Sequence, residues 1–163
     1  MKNQQEPLLK MYFPLQQDDG WPPVASESVW VSVVRKNLFQ IENVPFFASL
    51  VAYKDHVQGR LEGNVIYFQR HAKSSGYATV RVIFSTLEKR DGLVHQLEQL
   101  GCQIEGAQQW NLIAIGILPG KPFEQTMEII REGYKQKWWD YEESCLPPKP
   151  KRRIWDLFKS SKR

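Results

Sequence analysis

The sequence predicts an α+β protein: N-terminal antiparallel strands forming a small barrel or bent sheet, then a ferredoxin-like βαββαβ unit with two main helices. Three observations carry this prediction. Apolar and β-branched residues recur with strand character between Val29 and Phe84. The period becomes helical in two later segments, behind Ser85 and behind Pro122. Turn-forming pairs and triplets, Lys36-Asn37, Gly63-Asn64 and Ser74-Ser75-Gly76, fall at the breaks.

In chain order, residues 1–27 hold four prolines and an isolated apolar knot at Met11, Tyr12, Phe13 and Leu15. They are expected to form an extended arm that docks through those side chains. Val29–Val34 and Leu38–Glu42 predict a hairpin, which Pro45 ends because proline has no N–H for the ladder. Asp55–Leu61 and Val65–Gln69 predict a second hairpin across Gly63-Asn64. Tyr77–Phe84 alternates as a strong strand. Ser85-Thr86-Leu87-Glu88 fits a capping box, with Leu93, Val94, Leu97 and Leu100 at helical spacing behind it and Gly101 as the C-terminal stop. Two strands follow, Cys102–Glu105 and Trp110–Leu118. Pro122 then opens a second helix, with a stripe of Phe123, Met127, Ile130, Tyr134 and Trp138. A final edge strand is expected from Trp139 to Glu143. The resulting organisation is an arm (1–27), one α+β domain (28–146, divided into 28–76 and 77–146), and a Pro-rich linker with a basic tail (147–163).

A hydrophobic fraction of 42% with six tryptophans is enough for a real core, which excludes wholesale disorder. The formal charge of +4 invites a nucleic-acid reading, but its distribution does not support one for the folded body. Residues 147–163 carry seven basic side chains against Asp156, a net +6, which leaves −2 for the remainder. Two cysteines, Cys102 and Cys145, exclude a disulfide framework and imply a reducing compartment. Met1–Lys10 has no apolar run resembling a signal-peptide core, and no segment has the length needed for a transmembrane helix. The expected location is cytoplasmic.

No catalytic constellation stands out. His56, His71 and His95 form no pair at metal-ligand spacing, and no nucleophile-elbow, Walker or Rossmann glycine pattern is present. Cys102 follows a helix C-terminus, whose partial negative charge raises a thiol pKa. Ser74-Ser75-Gly76 is either a tight loop or a pair of hydroxyls facing an anion near Arg81. Glu142 and Glu143 have no second carboxylate placed opposite. The expectation is a protein without enzymatic activity, cofactor or metal. In the tail, Ile154, Trp155, Leu157 and Phe158 leave three readings open: a solubilising end, a basic helix drawn to nucleic acid or an anionic membrane, or a linear motif for a protein groove.

Several segments resemble a known bacterial family, domain of unknown function 4265. They are Trp21-Pro22-Pro23-Val24, Glu27-Ser28-Val29-Trp30, Ile41–Ala48, Asp55-His56-Val57, Ser75–Arg81, Ala114–Pro119 and Trp139–Glu143. Lys54 stands where that pattern usually has glycine. The resemblance implies a small bacterial cytoplasmic protein and supplies no reaction. Its size class is common among toxin-neutralising immunity proteins. Together these readings predict a protein-binding module, most concretely an immunity protein (antitoxin) that binds a cognate toxin domain; the alternative is a nucleic-acid-associated regulator using the basic tail. The candidate binding residues are Trp138, Trp139, Tyr141, Asp55, His56, Ser75, Arg81, Trp155 and Phe158. Thr79 and Arg81 share a strand face, so Arg81 is expected to brace the two subdomains against Asp55 or Glu42, or to join Asp55 and His56 in a pocket.

Overall fold

The computed structural model describes residues 7–147. The chain is α+β, with two sheets and two α-helices among the described residues. The first sheet contains β1 (Leu9–Pro14), β2 (Ser26–Arg35), β3 (Leu38–Ile41), β4 (His56–Glu62) and β5 (Val65–Lys73). Consecutive strands pair antiparallel, and the sheet bends until β1 runs parallel to β5 at Met11–Ile66 and Tyr12–Tyr67. Both expected hairpins form, at Asn37 (φ 60°) and at Gly63 (φ 60°). Alternate side chains point inward, so Met11, Val29, Val31, Phe39, Ile41, Val57 and Ile66 make one core. That core is tight against the backbone of β4: a Cβ on Gly59 would stand 2.6 Å from Met11 Cε.

The expected docking arm is corrected here. Leu9–Pro14 is a full strand, paired with β2 along its length, and its Met11 and Phe13 are core residues. Pro14 sits at the strand's last position, where a missing N–H costs least.

The second sheet contains β6 (Ala78–Phe84), β7 (Gln103–Ala107), β8 (Leu112–Ile117) and β9 (Trp139–Cys145), in the order β7-β8-β6-β9 with every pair antiparallel. Helix α1 (Arg90–Gln99) joins β6 to β7, and α2 (Lys121–Lys135) joins β8 to β9. One face of the sheet is apolar throughout. Val80, Val82, Phe84, Ile113, Ile115 and Ile117 pack there with Leu93 and Leu97 of α1 and with Met127 and Ile130 of α2.

The helix ends differ from expectation in two places. The capping box does not form: the Ser85 N–H donates to Trp138 O (3.1 Å), a short 3-10 turn covers Leu87–Lys89, and α1 starts at Arg90 without a side-chain cap. At the other end Gly101 (φ 80°) stops the helix as predicted. Its N–H bonds Glu98 O (2.9 Å) while the Cys102 N–H bonds Leu97 O (3.1 Å), the paired bonds of a Schellman motif. In α2 the stripe ends early. Tyr134 is exposed, and Trp138 lies beyond the helix with its ring beneath the Lys89 ammonium (4.3 Å). Trp139 takes the core position instead. Its indole lies against Gly133, and its Nε1–H donates to Ile130 O (2.9 Å).

The opposite face of this sheet meets the irregular segment between β3 and β4, residues 42–55. Val44, Phe47, Ala48, Val51 and Ala52 of that segment are buried. Thr79 Oγ1 donates to Val51 O (3.3 Å), and a Cβ on Gly116 would touch Val44 at 2.9 Å. The segment is therefore a wedge between the two sheets. Among the described residues, no helix is long and apolar enough to cross a membrane.

Candidate functional site

A buried irregular segment must satisfy backbone groups that no ladder reaches. Two carboxylates do much of this. Glu27 accepts the N–H groups of Phe46 (2.5 Å), Phe47 (2.9 Å) and Ala48 (2.8 Å). Asp55, only 1% exposed, accepts the Ser75 N–H on Oδ1 (2.7 Å) and the Ala52 N–H on Oδ2 (3.0 Å), and Oδ2 also lies 2.9 Å from His71 Nε2. Asn43 Oδ1 accepts the Trp30 N–H (2.7 Å), and Glu42 pairs with Lys54 while accepting from Ser32 and Gln40. Burial pushes the Glu42 carboxyl up, but those three donors outweigh it and hold the group below its ordinary 4.5. Burial likewise works against the charge on Lys54, and Glu42 outweighs it, raising the ammonium above its ordinary 10.5.

Arg81 sits on this polar face, 4% exposed. Its Nη2 donates to Ala48 O of the wedge (3.3 Å) and to Ser144 Oγ of β9 (2.5 Å), and its Nη1 donates to Glu142 (2.9 Å). Glu142 faces Arg81 directly across the β6–β9 ladder, and Ser144 is two residues further on. Nε is buried with no acceptor among the described residues. A buried guanidinium is stable only when paired, and here its carboxylate partner is 55% exposed.

Two cavities meet at this pair. The larger, about 410 Å³, is lined by Phe13, Phe68, Trp21, Phe47, Arg81 and Glu142, among others. Phe13 and Phe68 stack at 4.5 Å, and Trp21 meets Phe47 edge-on at 5.6 Å. The smaller, about 130 Å³, shares Trp21, Arg81 and Glu142 and adds Ile83, Leu112 and Tyr141. The result is an aromatic-walled cleft at the seam of the two sheets, with a guanidinium set into it.

The candidate residues therefore separate into groups. Asp55 and Ser75 come together, but as fasteners of the wedge. Ser75 Oγ donates to Tyr53 O (2.7 Å) and accepts the Tyr77 N–H (3.2 Å), so the hydroxyl is committed and no anion-facing loop forms. The expected convergence of Asp55, His56 and Arg81 does not occur. His71 is the imidazole beside Asp55, while His56 turns to Gln40 (3.3 Å) and Arg81 to Glu142 rather than to Asp55 or Glu42. Arg81 does brace the sheets, through Ala48 O. Trp139 is a core residue, Tyr141 borders the cleft and stacks edge-on with Tyr134 (5.5 Å), and Trp138 is exposed. Trp155, Phe158 and the whole basic tail lie outside the described residues. Cys102 is raised as expected, although burial is the main cause and the Thr126 hydroxyl partly opposes it. Cys145 is pushed up to about 11 by burial and by the charge of Asp55. Among the described residues, no group of three or more His, Cys, Asp or Glu is placed to hold a metal ion.

Sequence reading missed Trp21, Phe13, Phe47 and Phe68 as cleft walls, and Glu142 as the partner of Arg81. The register of β9 against β6 supplies the last of these, since it sets the two residues opposite each other.

No curated protein matches the chain. The fold is similar to a solved structure described as that of a hypothetical protein from Neisseria gonorrhoeae, with TM-score 0.71 and 22% identity over 85% of this chain and 94% of that one. A family model described as Domain of unknown function (DUF4265) matches residues 27–141, a span that includes the wedge and Arg81 and stops one residue short of Glu142, and the chain belongs to that family.

Proposed function

We propose that this protein is a non-enzymatic protein-binding module, most concretely a cytoplasmic immunity protein that neutralises a cognate bacterial toxin by direct binding. The observation that carries the binding reading is the cleft at the seam. Interface energy concentrates in aromatic and arginine anchors seated in desolvated pockets, and this cleft brings four aromatic rings to a buried arginine. Trp21 is half-exposed at its rim and is the expected anchor. In this reading residues 77–146 form a ferredoxin-like unit, which the order β7-β8-β6-β9 supports, and the wedge docks that unit to the bent sheet.

The test is co-purification with the product of the adjacent gene. Retention is expected, and Trp21→Ser should weaken the complex about 30-fold or more, the loss typical of an interface anchor. Retention of no adjacent gene product would end the immunity reading. The alternative, nucleic-acid association through the basic tail, rests on the +6 of residues 147–163. It predicts a salt-sensitive nucleic-acid affinity that disappears when the tail lysines and arginines are replaced by glutamine, with toxin binding unaffected.

A further inference from the structure

A second concave surface lies on the first sheet and shares no residue with the cleft around Arg81. It is a cavity of about 480 Å³ lined by Arg35, Arg70, Lys73, His56 and His71, with Leu38, Gln58 and Ala72 completing it. Three permanent cations and two imidazoles share one concavity, and among the described residues no carboxylate lines it. This is unexpected in a body whose net charge is −2.

The backbone explains how the side chains gather. In a regular strand, consecutive residues such as Arg70 and His71 point to opposite faces. The β4–β5 ladder has two register shifts here, at His56/Val57 and Gln58/Gly59, opposite Lys73, His71, Arg70 and Phe68. A third interrupts β2–β3 between Val33 and Arg35. β-Bulges re-aim side chains, and all three lie at this cavity. Two of the groups are also held in place. Gln58 Oε1 accepts from Arg70 Nε (2.6 Å), which leaves both Nη groups for a ligand. The His71 Nε2 faces buried Asp55 (2.9 Å), which leaves Nδ1.

We infer that this cavity binds a phosphomonoester group. Clustered arginine, lysine and histidine donors match a compact dianion, with buried Asp55 bonded behind His71 and no carboxylate in the lining itself, and arginine matches phosphate oxygens by its fork geometry. Among the described residues no Phe, Tyr or Trp lines the cavity, and its cationic donors make the phosphate itself the recognised element. The inference is independent of the toxin-binding reading, because the two cavities share no residue.

The experiment is NMR titration of the full-length ¹⁵N-labelled protein with inorganic phosphate, glucose 6-phosphate, and a short oligonucleotide with or without a 5′-phosphate. Chloride at matched ionic strength serves as the control. Saturable shifts of the Arg70 Nε–H and of the His56 and His71 rings are expected with the phosphates and not with chloride. Arg70→Gln and Lys73→Gln should each weaken binding about tenfold or more, as expected for loss of a charge-assisted bond. Both side chains are exposed, so neither change should disturb the fold. A response to glucose 6-phosphate but not to the 5′-phosphorylated oligonucleotide identifies a small-molecule source; the reverse identifies a nucleic-acid end. Shifts equal to those with chloride, or affinity unchanged in both variants, would overturn the inference.

Discussion

The two faces of the sheet β7-β8-β6-β9 are covered in opposite ways. The face under α1 and α2 is closed chiefly by apolar packing, with Val, Ile, Leu and Met interdigitating and Trp139 seated against Gly133. The face under the wedge adds polar bonds to its apolar contacts: Thr79 and Arg81 reach wedge carbonyls, while Glu27 and Asp55 collect wedge amides. Apolar packing leaves little room and asks for no partner. The polar face holds an arginine with an idle donor beside an open cleft. A buried charge costs several kcal/mol to desolvate, so a fold that merely needed closing would be served as well by leucine. The contrast fits the proposed division, with stability resting on the helix face and binding on the wedge face.

The largest expected effect is on the helix face. A Cβ on Gly133 would stand 1.8 Å from Trp139 Cζ2, and Trp139 is pinned by its bond to Ile130 O. Gly133→Ala should therefore destabilise by about 3 kcal/mol or more in urea unfolding, at or beyond the upper end for overpacking. A loss under about 1 kcal/mol would show that the helix face yields more readily than its packing implies.

Next comes the wedge. Glu27→Ala leaves the amides of Phe46, Phe47 and Ala48 without their acceptor, at a cost of about 2–3 kcal/mol. The location of the damage matters more than its size. Hydrogen exchange should speed up at residues 46–48 well before the amides of α2 respond, because the wedge opens locally. Uniform acceleration through both faces would erase the distinction.

A smaller effect follows from Glu42 and Lys54. The lowered Glu42 carboxyl contributes stability that is complete above 4.5 and is lost as pH falls through its depressed folded value. The raised Lys54 ammonium contributes stability that is complete below 10.5 and is lost as pH rises through its elevated folded value. Stability measured from pH 3 to 11 should thus form a plateau whose acid shoulder flattens in Glu42→Gln. An unchanged acid shoulder would remove this pair from the wedge's support.

The smallest effect concerns the thiols. Cys145 is pushed up to about 11 and Cys102 is raised by burial. Iodoacetamide at pH 8 should label both far more slowly than a free thiol, since the thiolate is the reacting form. Rapid labelling of Cys145 would place it outside the enclosed end of the wedge face.

The helix face was largely legible in the sequence, and the wedge face was not. Leu93, Leu97, Met127 and Ile130 announce themselves by periodicity, and Gly101 by the left-handed backbone that its position requires. Hairpin turns at Asn37 and Gly63 were legible for the same reason. The capping box misled because Ser85 is still tied to Trp138 at the end of the strand pair, so the helix cannot begin there. β1 was obscured by flanking prolines, although Met11 and Phe13 alternate correctly. On the wedge face, adjacency in sequence was the wrong guide. Asp55 and His56 are consecutive in extended chain and so point apart, while His71 arrives from the neighbouring strand. The Arg81–Glu142 pair spans 61 residues and depends on one ladder register. The bulges that gather Arg35, Arg70 and His71 leave no mark in the residue pattern.

The proposed division between a stabilising face and a binding face is tested most directly by hydrogen-exchange footprinting of the full-length protein with and without the product of the adjacent gene. Protection is expected at residues 13–22, 46–49 and 140–142, the segments that border the cleft around Arg81, with α1 and α2 unchanged. Protection centred on the exposed surfaces of α1 and α2, with the cleft segments unaffected, would contradict it.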